Sequence, residues 1–284
     1  MILQKEVIEI AERSAMPKST IDKDWVLGHF LNAFYGDEFN RKHFVFKGGT
    51  CLKKCHFKKY RFSEDLDFTL INPEIDIDRK FFNKIISITT EKCGIQFHIN
   101  SFKKQVFNDI PQGYKVVIKF WGADHKPNQP PLPWERWLTK IEIDITFTEK
   151  IITPYVEKSI YHEYSDRELV KNIIPVYSIE EILAEKLRSF FQRSYPAPRD
   201  FYDVWYICNN VDIPDWKSFR NLFNEKMAVK NQKYDVNIFR DKFVKDKVSK
   251  AWYNSLGNHL KPDDLPKPDE VFEFLNTFVV EKLK

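Results

Sequence analysis

Asp65 and Asp67 stand one residue apart in the run Arg61-Phe62-Ser63-Glu64-Asp65-Leu66-Asp67-Phe68, downstream of a Gly-Gly-Thr turn at residues 48–50. Leu66, Phe68 and Leu70 alternate with the acids, the period-2 pattern of a half-buried strand, so both aspartates share one face. At about 3.3 Å rise per residue their Cα atoms lie roughly 6.5–7 Å apart. That spacing suits two carboxylates on one Mg²⁺, or on two ions roughly 3.5–4 Å apart, as in phosphoryl-transfer sites. An isolated D-x-D is more often a solvated strand face, so the assignment rests on what surrounds it. The chemistry it would support is metal-assisted transfer at a nucleotide triphosphate.

The surroundings supply a phosphate cradle and a third acid. The apolar run His43-Phe44-Val45-Phe46 stops at Lys47-Gly48-Gly49-Thr50. Paired glycines let the backbone take positive φ and approach a phosphate, and a helix starting there points N–H groups at an anion. Much later, Ile141, Ile143, Ile145 and Phe147 alternate with Glu142, Asp144 and Thr146. A strand there, lying beside the first, lets Asp144 join Asp65 and Asp67; Glu142, two residues earlier, is the competing choice for third ligand.

A second block follows. Ser178 with Glu181 reads as a capping box opening a helix. Ile179, Ile182, Leu183, Leu187, Phe190 and Phe191 form its apolar stripe. At about 100° per residue, Lys186 falls inside that stripe, where a lysine must snorkel, pair with an acid or reach into a site. Glu185 and Arg188 fall on the opposite face and read as solvent residues. In Pro198-Arg199-Asp200-Phe201-Tyr202-Asp203 the two aspartates share a helix face. Asp200 also reads as an N-cap, with Asp203 near the third helical position.

With these motifs in order, the chain resembles the AbiEii/AbiGii-type nucleotidyltransferase toxins of the DNA polymerase β-like superfamily. The resemblance runs over roughly residues 24–208: Phe46 to Phe68, the Asp144 strand, Ser178 to Arg188, and Pro198 to Asp203. It implies an α+β fold, a polymerase β-like nucleotidyltransferase core with a mixed sheet, flanked by N-terminal helices and a helical C-terminal part. It implies a nucleoside monophosphate moved from an NTP to an acceptor, with Mg²⁺ (or Mn²⁺) on Asp65, Asp67 and Asp144. Lys47, Gly48, Gly49, Thr50, Ser63 and Lys186 are the expected nucleotide contacts. Lys186 and Asp203 carry over as functionally required, with Asp200 as a weaker candidate. The expected acceptor is RNA such as a tRNA 3′ end, and the expected partner a cognate antitoxin. A small-molecule nucleotidyltransferase of the antibiotic-modifying kind, and a non-catalytic nucleotide-binding protein, are the competing readings.

The elements needed to position these residues can be read along the 284 residues. Helices are expected near 2–14, 22–35 and 78–92, with strands near 95–102, 114–121 and 137–148. A helical pattern runs from about 166 onward. We therefore expect a nucleotidyltransferase core with N-terminal helices over 1–165 and a helical C-terminal domain over 166–284, with the site between them. The loop Lys126-Pro-Asn-Gln-Pro-Pro-Leu-Pro is too proline-rich for regular structure. Its flanking Trp121, Trp134 and Trp137 could stack a base, though packing is the simpler role.

Charge excludes a strongly basic binder: 45 basic and 41 acidic residues give a formal +4. Locally, residues 41–63 carry Arg41, Lys42, Lys47, Lys53, Lys54, Lys58, Lys59 and Arg61, a basic shell that would attract a nucleotide. The lysines from Lys226 to Lys250, interleaved with acids such as Asp235 and Asp241, form no patch. The four cysteines lack metal-binding spacing and read as reduced thiols of a cytoplasmic protein. The seven histidines are scattered. No stretch is apolar enough for a membrane span, and no signal-peptide pattern opens the chain.

Overall fold

Phe44–Lys47 (β1) and Asp65–Leu70 (β2) pair antiparallel, bringing the two ends of the Gly-Gly motif together, in a computed structural model. It describes residues 1–126, 128–193, 197–237 and 245–284. Pro127 of the proline-rich loop and Asp241 lie outside the described residues. The chain divides into two units: Met1–Glu149 with Tyr155–Val176, and Lys150–Pro154 with Tyr177–Lys284.

The first unit contains a seven-stranded mixed sheet. Its further strands are β3 (Gln96–Phe107), β4 (Ile110–Trp121), β5 (Lys140–Thr146), β6 (Val156–Ser159) and β7 (Ile173–Val176). Their order is β3-β4-β5-β2-β1-β7-β6. β2 and β5 run parallel, as do β1 and β7, while β4 and β5 are antiparallel. The expected mixed sheet is present. Strand β7 interrupts the stretch expected to be helical from about 166, and β6 was not anticipated. Both are only four residues long, too short for an alternating pattern to declare itself.

The helices Gln4–Ser14 (α1), Lys18–Phe34 (α2), Glu38–His43 (α3), Gly48–Cys51 (α4) and Arg79–Cys93 (α5) belong to this unit. Asp78 caps α5 by accepting from the Phe81 N–H, and Gly94 ends it at φ 78°. The core packs α2 on the sheet: Phe34 stacks on Phe68 at 4.7 Å, and Phe46 lies 5.4 Å from Phe68. Phe34, Phe46 and Phe68 are fully buried, each contributing about 1.5–3 kcal/mol of apolar transfer. This aromatic backing fixes β1 and β2, and hence the face that carries the acids.

In the second unit, helices Ile179–Gln192 (α6), Pro198–Asn210 (α7) and Trp216–Val229 (α8) precede Lys245–Leu256 (α9), Pro268–Phe274 (α10) and Val280–Leu283 (α11). Ser178 caps α6 by accepting from the Glu181 N–H, as expected. The Glu181 carboxylate does not complete the box. It accepts from the N–H groups of Ile152 and Thr153 and meets the Lys226 ammonium at 2.5 Å, both groups being fully buried. Lys226 also bonds the Lys150 carbonyl and lies over the Tyr177 ring, so it is a buried hub of this unit and not a surface charge.

Two solvent assignments on α6 are corrected by the same packing. Arg188 is buried and donates to the Lys226 carbonyl, and Glu185 lies 3.1 Å from the Lys226 ammonium. Helical periodicity placed these residues opposite the apolar stripe, but α6 is covered on that side too. No helix among the described residues is long and apolar enough to cross a membrane.

Candidate active site

The register of β5 against β2 assembles the acids. Asp65 pairs with Glu142, and Asp67 with Asp144, in neighbouring parallel strands about 4.8 Å apart. On the other side Lys47 of β1 faces Asp67, and beyond β5 Lys115 of β4 faces Asp144. Cα partners project to the same face of a sheet, so four carboxylates and two lysines share one face of four adjacent strands. The buried alternates Leu66, Phe68, Ile143 and Ile145 point into the core and hold that orientation.

Gly48 is required twice over. Its φ is +81°, and a Cβ there would fall 2.2 Å from the Asp67 Oδ2. A Cβ on Gly49 would lie 2.8 Å from the Arg61 guanidinium and 3.0 Å from the Ser63 Oγ. The turn therefore fits closely beneath Asp67, Arg61 and Ser63. Thr50 is buried, and its hydroxyl donates to the Asp65 carbonyl, tying the turn to β2.

The two choices for third acid have different environments. Glu142 bonds Lys140 at 2.6 Å and Lys115 at 3.2 Å, and the Lys140 contact leads in holding its carboxyl below the usual range. Asp144 lies 3.7 Å from Lys115. Burial pushes the Asp144 carboxyl above its ordinary range, with Lys115 opposing and Glu142 adding to the shift. Glu142 is thus neutralised by lysines, while Asp144 is the more basic group and sits beside Asp67. Asp65, Asp67 and Asp144 would offer carboxylate oxygens alone, the donor type a hard cation such as Mg²⁺ takes.

Lys115 is the site residue that sequence reasoning missed. Glu142, then Asp144, raises its pKa, with a smaller contribution from Asp65. Alternation along β4 placed it on the polar face, yet only the β4–β5 register shows what it faces. Arg61 was counted as one more charge of a basic shell; it is 3% exposed and packs against Gly49. That shell is itself corrected. Lys54 is buried on Asp24 at 2.6 Å, and Lys47 and Arg61 are buried, so part of the charge in residues 41–63 is internal, while Arg41, Lys42, Lys58 and Lys59 remain exposed.

In the second unit the structure brings Lys186, Asp200 and Asp203 together. The Lys186 ammonium lies 2.8 Å from both the Asp200 Oδ1 and the Asp203 Oδ2. Asp203 is fully buried, and Asp200 also meets Arg193 at 3.2 Å and the Ser189 hydroxyl at 3.1 Å. Asp200 is not the N-cap: Ala197 precedes α7, Pro198 occupies its first turn, and Asp200 follows within the helix. Of the tryptophans flanking the proline-rich loop, Trp134 stacks on His98 at 3.7 Å, and Trp137 donates to the Leu132 carbonyl.

Comparison with known proteins agrees with this architecture. A family profile described as "Nucleotidyl transferase AbiEii toxin, Type IV TA system" matches residues 29–274. MenT4, a nucleotidyltransferase toxin from Mycobacterium tuberculosis H37Rv, is similar in structure, with a TM-score of 0.67 at 17% identity. The alignment covers 99% of this chain and 90% of that one, a likeness of fold. No curated protein matches the sequence. The profile spans both the Gly-Gly and D-x-D strands and the Lys186 and Asp203 helices, and the chain belongs to the AbiEii family of nucleotidyltransferase toxins of type IV toxin–antitoxin systems.

Proposed function

We propose that this chain moves a nucleoside monophosphate from an NTP to a hydroxyl of an RNA acceptor such as a tRNA 3′ end. The observation that carries this reading is the Asp67–Asp144 register pair beside the positive-φ Gly48. Asp65, Asp67 and Asp144 would hold Mg²⁺, or Mn²⁺ in its place, which when bound supplies Lewis-acid neutralisation of phosphate charge.

The chain's own groups have separate tasks. Backbone N–H groups of Gly48, Gly49 and Thr50 cradle the triphosphate, with Lys47 behind them and Ser63 orienting the acidic strand. Asp144, on the strand beside Asp67, either completes the metal position or takes the proton of the acceptor hydroxyl. The acceptor oxygen then bonds the α-phosphorus as the bond to the β-phosphate bridging oxygen breaks, and pyrophosphate leaves. Lys186, with Asp203 and Asp200, is assigned to the same reaction on its family motif, neutralising charge on the leaving pyrophosphate. A cognate antitoxin is the regulatory partner that membership of the family implies.

The test is incubation with each NTP radiolabelled at the α-phosphate, Mg²⁺ and total bacterial tRNA, beside an Asp65→Ala/Asp67→Ala control. Label on tRNA with the wild type alone is the expected result. Metal-dependent NTP turnover without labelled RNA would refute the RNA acceptor and direct the search to small hydroxylated substrates.

A further inference from the structure

Two of the seven histidines scattered along the sequence meet in space. His29 of α2 and His162, in the segment after β6, converge on Asp166, and their ligand atoms all lie within 4.8 Å of one another. The His29 Nε2 is 3.0 Å from the Asp166 Oδ2, and the His162 Nε2 is 3.1 Å from its Oδ1. We propose that His29, His162 and Asp166 form a binding site for a divalent transition metal of the zinc class, separate from the carboxylates of β2 and β5.

Ligand type and spacing both point to such an ion. Two imidazole nitrogens and one carboxylate are a donor set that zinc accepts, and they are poor company for Mg²⁺. Ligand atoms in a tetrahedral site with bonds of about 2.0–2.1 Å stand roughly 3.3 Å apart; the two N···O separations, each to a different Asp166 oxygen, are close to that, and the set as a whole, spanning up to 4.8 Å, must contract around one ion. Closing the nitrogens onto one ion is the remaining adjustment.

The surroundings are arranged around these three groups. The Trp25 indole N–H donates to both Asp166 oxygens, at 3.2 and 3.0 Å, orienting the carboxylate as the outer shell of a metal site does. The Trp25 ring stands edge-on to His29 at 5.0 Å, and His29 edge-on to His162 at 4.8 Å. Gly28 makes room for the second imidazole: a Cβ there would lie 2.2 Å from the His162 Nδ1. A mid-helix glycine is unfavourable relative to alanine, and here it admits a histidine ring.

Charge favours the same occupant. The His162 Nδ1 is buried without a hydrogen-bond partner among the described residues. The neighbouring Lys54 has its charge balanced by Asp24 at 2.6 Å. A dication would compensate the largely buried Asp166 carboxylate. His162 also lines a cavity of about 740 Å³, together with Tyr161, Glu163, Tyr164 and Arg167. A bound ion would clamp α2 to the segment leading into β7.

The test uses the full chain stripped with a chelator and titrated with Zn²⁺ against a chromophoric competitor, and with Co²⁺ followed by visible absorption. About one zinc per chain, a tetrahedral Co²⁺ spectrum and a rise in melting temperature with Zn²⁺ are expected. The same stoichiometry should persist in an Asp65→Asn/Asp67→Asn background, which separates this site from the carboxylate site. His29→Ala/His162→Ala should abolish it, and Trp25→Phe, which keeps an aromatic ring in place, should weaken it by about 10–100-fold. Should the wild type show neither stoichiometric zinc nor a Co²⁺ d–d spectrum, the proposal falls whatever the variants do. Zinc bound equally by the double histidine variant overturns it as well.

Discussion

Asp67 on β2 and Asp144 on β5 are Cα partners across a parallel strand pair, while Glu142, two residues before Asp144, is the partner of Asp65. The relationship separates three acids that the sequence presents as equivalents. Glu142 is held by Lys140 and Lys115, whereas Asp144 meets Lys115 only at longer range and beside Asp67. Asp67→Asn and Asp144→Asn should each lower nucleotide transfer by on the order of a hundredfold or more, the scale of removing one preorganised electrostatic group. Glu142→Gln should cost only a few-fold. Melting temperatures should stay within a degree or two, because removing one of several clustered acids also relieves repulsion. Steady-state transfer assays on the three variants decide the matter; Glu142→Gln as damaging as Asp144→Asn would reverse the assignment.

Lys115 gives a second, opposite-signed expectation. Its ammonium lies 3.2 Å from Glu142 and 3.7 Å from Asp144, compensating the acids before any cation reaches them. A dication must compete with it. Lys115→Met should therefore bind Mn²⁺ several-fold more tightly, corresponding to at most about 1 kcal/mol for so exposed a pair. The metal-free variant should melt lower than wild type and recover with metal. Calorimetric titration of chelator-stripped protein reads this directly, and weaker binding would mean that Lys115 organises the acids instead of competing for them.

Lys186 needs a control that separates chemistry from folding. It is paired at 2.8 Å with Asp203, which has no exposed surface, and with Asp200, which retains Arg193 as a second partner. Lys186→Met removes the ammonium 2.8 Å from the Asp203 carboxylate, and loss of one partner of a buried pair costs about 3–5 kcal/mol. Asp203→Asn leaves Lys186 paired with Asp200 and should cost clearly less. Denaturant melts of the two single variants and the double variant test this asymmetry. An undisturbed Lys186→Met melt would show that Asp203 is compensated by other groups, and any activity loss in that variant could then be ascribed to chemistry.

What could be read from the sequence, and what could not, divides along a physical line. β2 and β5 declared themselves because one face is buried, so period-2 alternation is strong and both acids and core residues fall where it places them. Gly48 was legible because only glycine takes its backbone angle without strain. Lys115, Arg61 and the His29–His162–Asp166 cluster were not legible, since each depends on strand register or on segments far apart in the chain. Glu185 and Arg188 were misread for a related reason. Periodicity reports which side of a helix is apolar, but not that its polar side is covered and its charges met by the Lys226 ammonium and carbonyl. β6 and β7 escaped because four residues contain too few alternations to distinguish a strand from a loop.

Asp22 offers a test of the fold through pH. It is 2% exposed on α2, accepts from the Ala123 N–H at 2.6 Å, and lies against Gly122, where a Cβ would fall 2.3 Å from its Oδ1. Burial raises its pKa to about 6 from an ordinary 3.8, assisted by the neighbouring Asp124 charge and opposed by the Ala123 and Asp124 N–H groups. For an acid whose pKa is higher in the folded state, the folded chain binds more protons between the two values. Asp22's contribution is therefore fully present below about pH 3.8, is lost as pH rises through about 6, and is flat above that. At about 1.4 kcal/mol per unit the swing is on the order of 3 kcal/mol. Asparagine keeps an oxygen for the Ala123 N–H without the charge. Asp22→Asn should accordingly melt higher than wild type at pH 7–8, with the difference shrinking towards pH 4. Thermal melts of both proteins across that range measure it; a difference independent of pH would show that Asp22 does not titrate in the folded chain within that window.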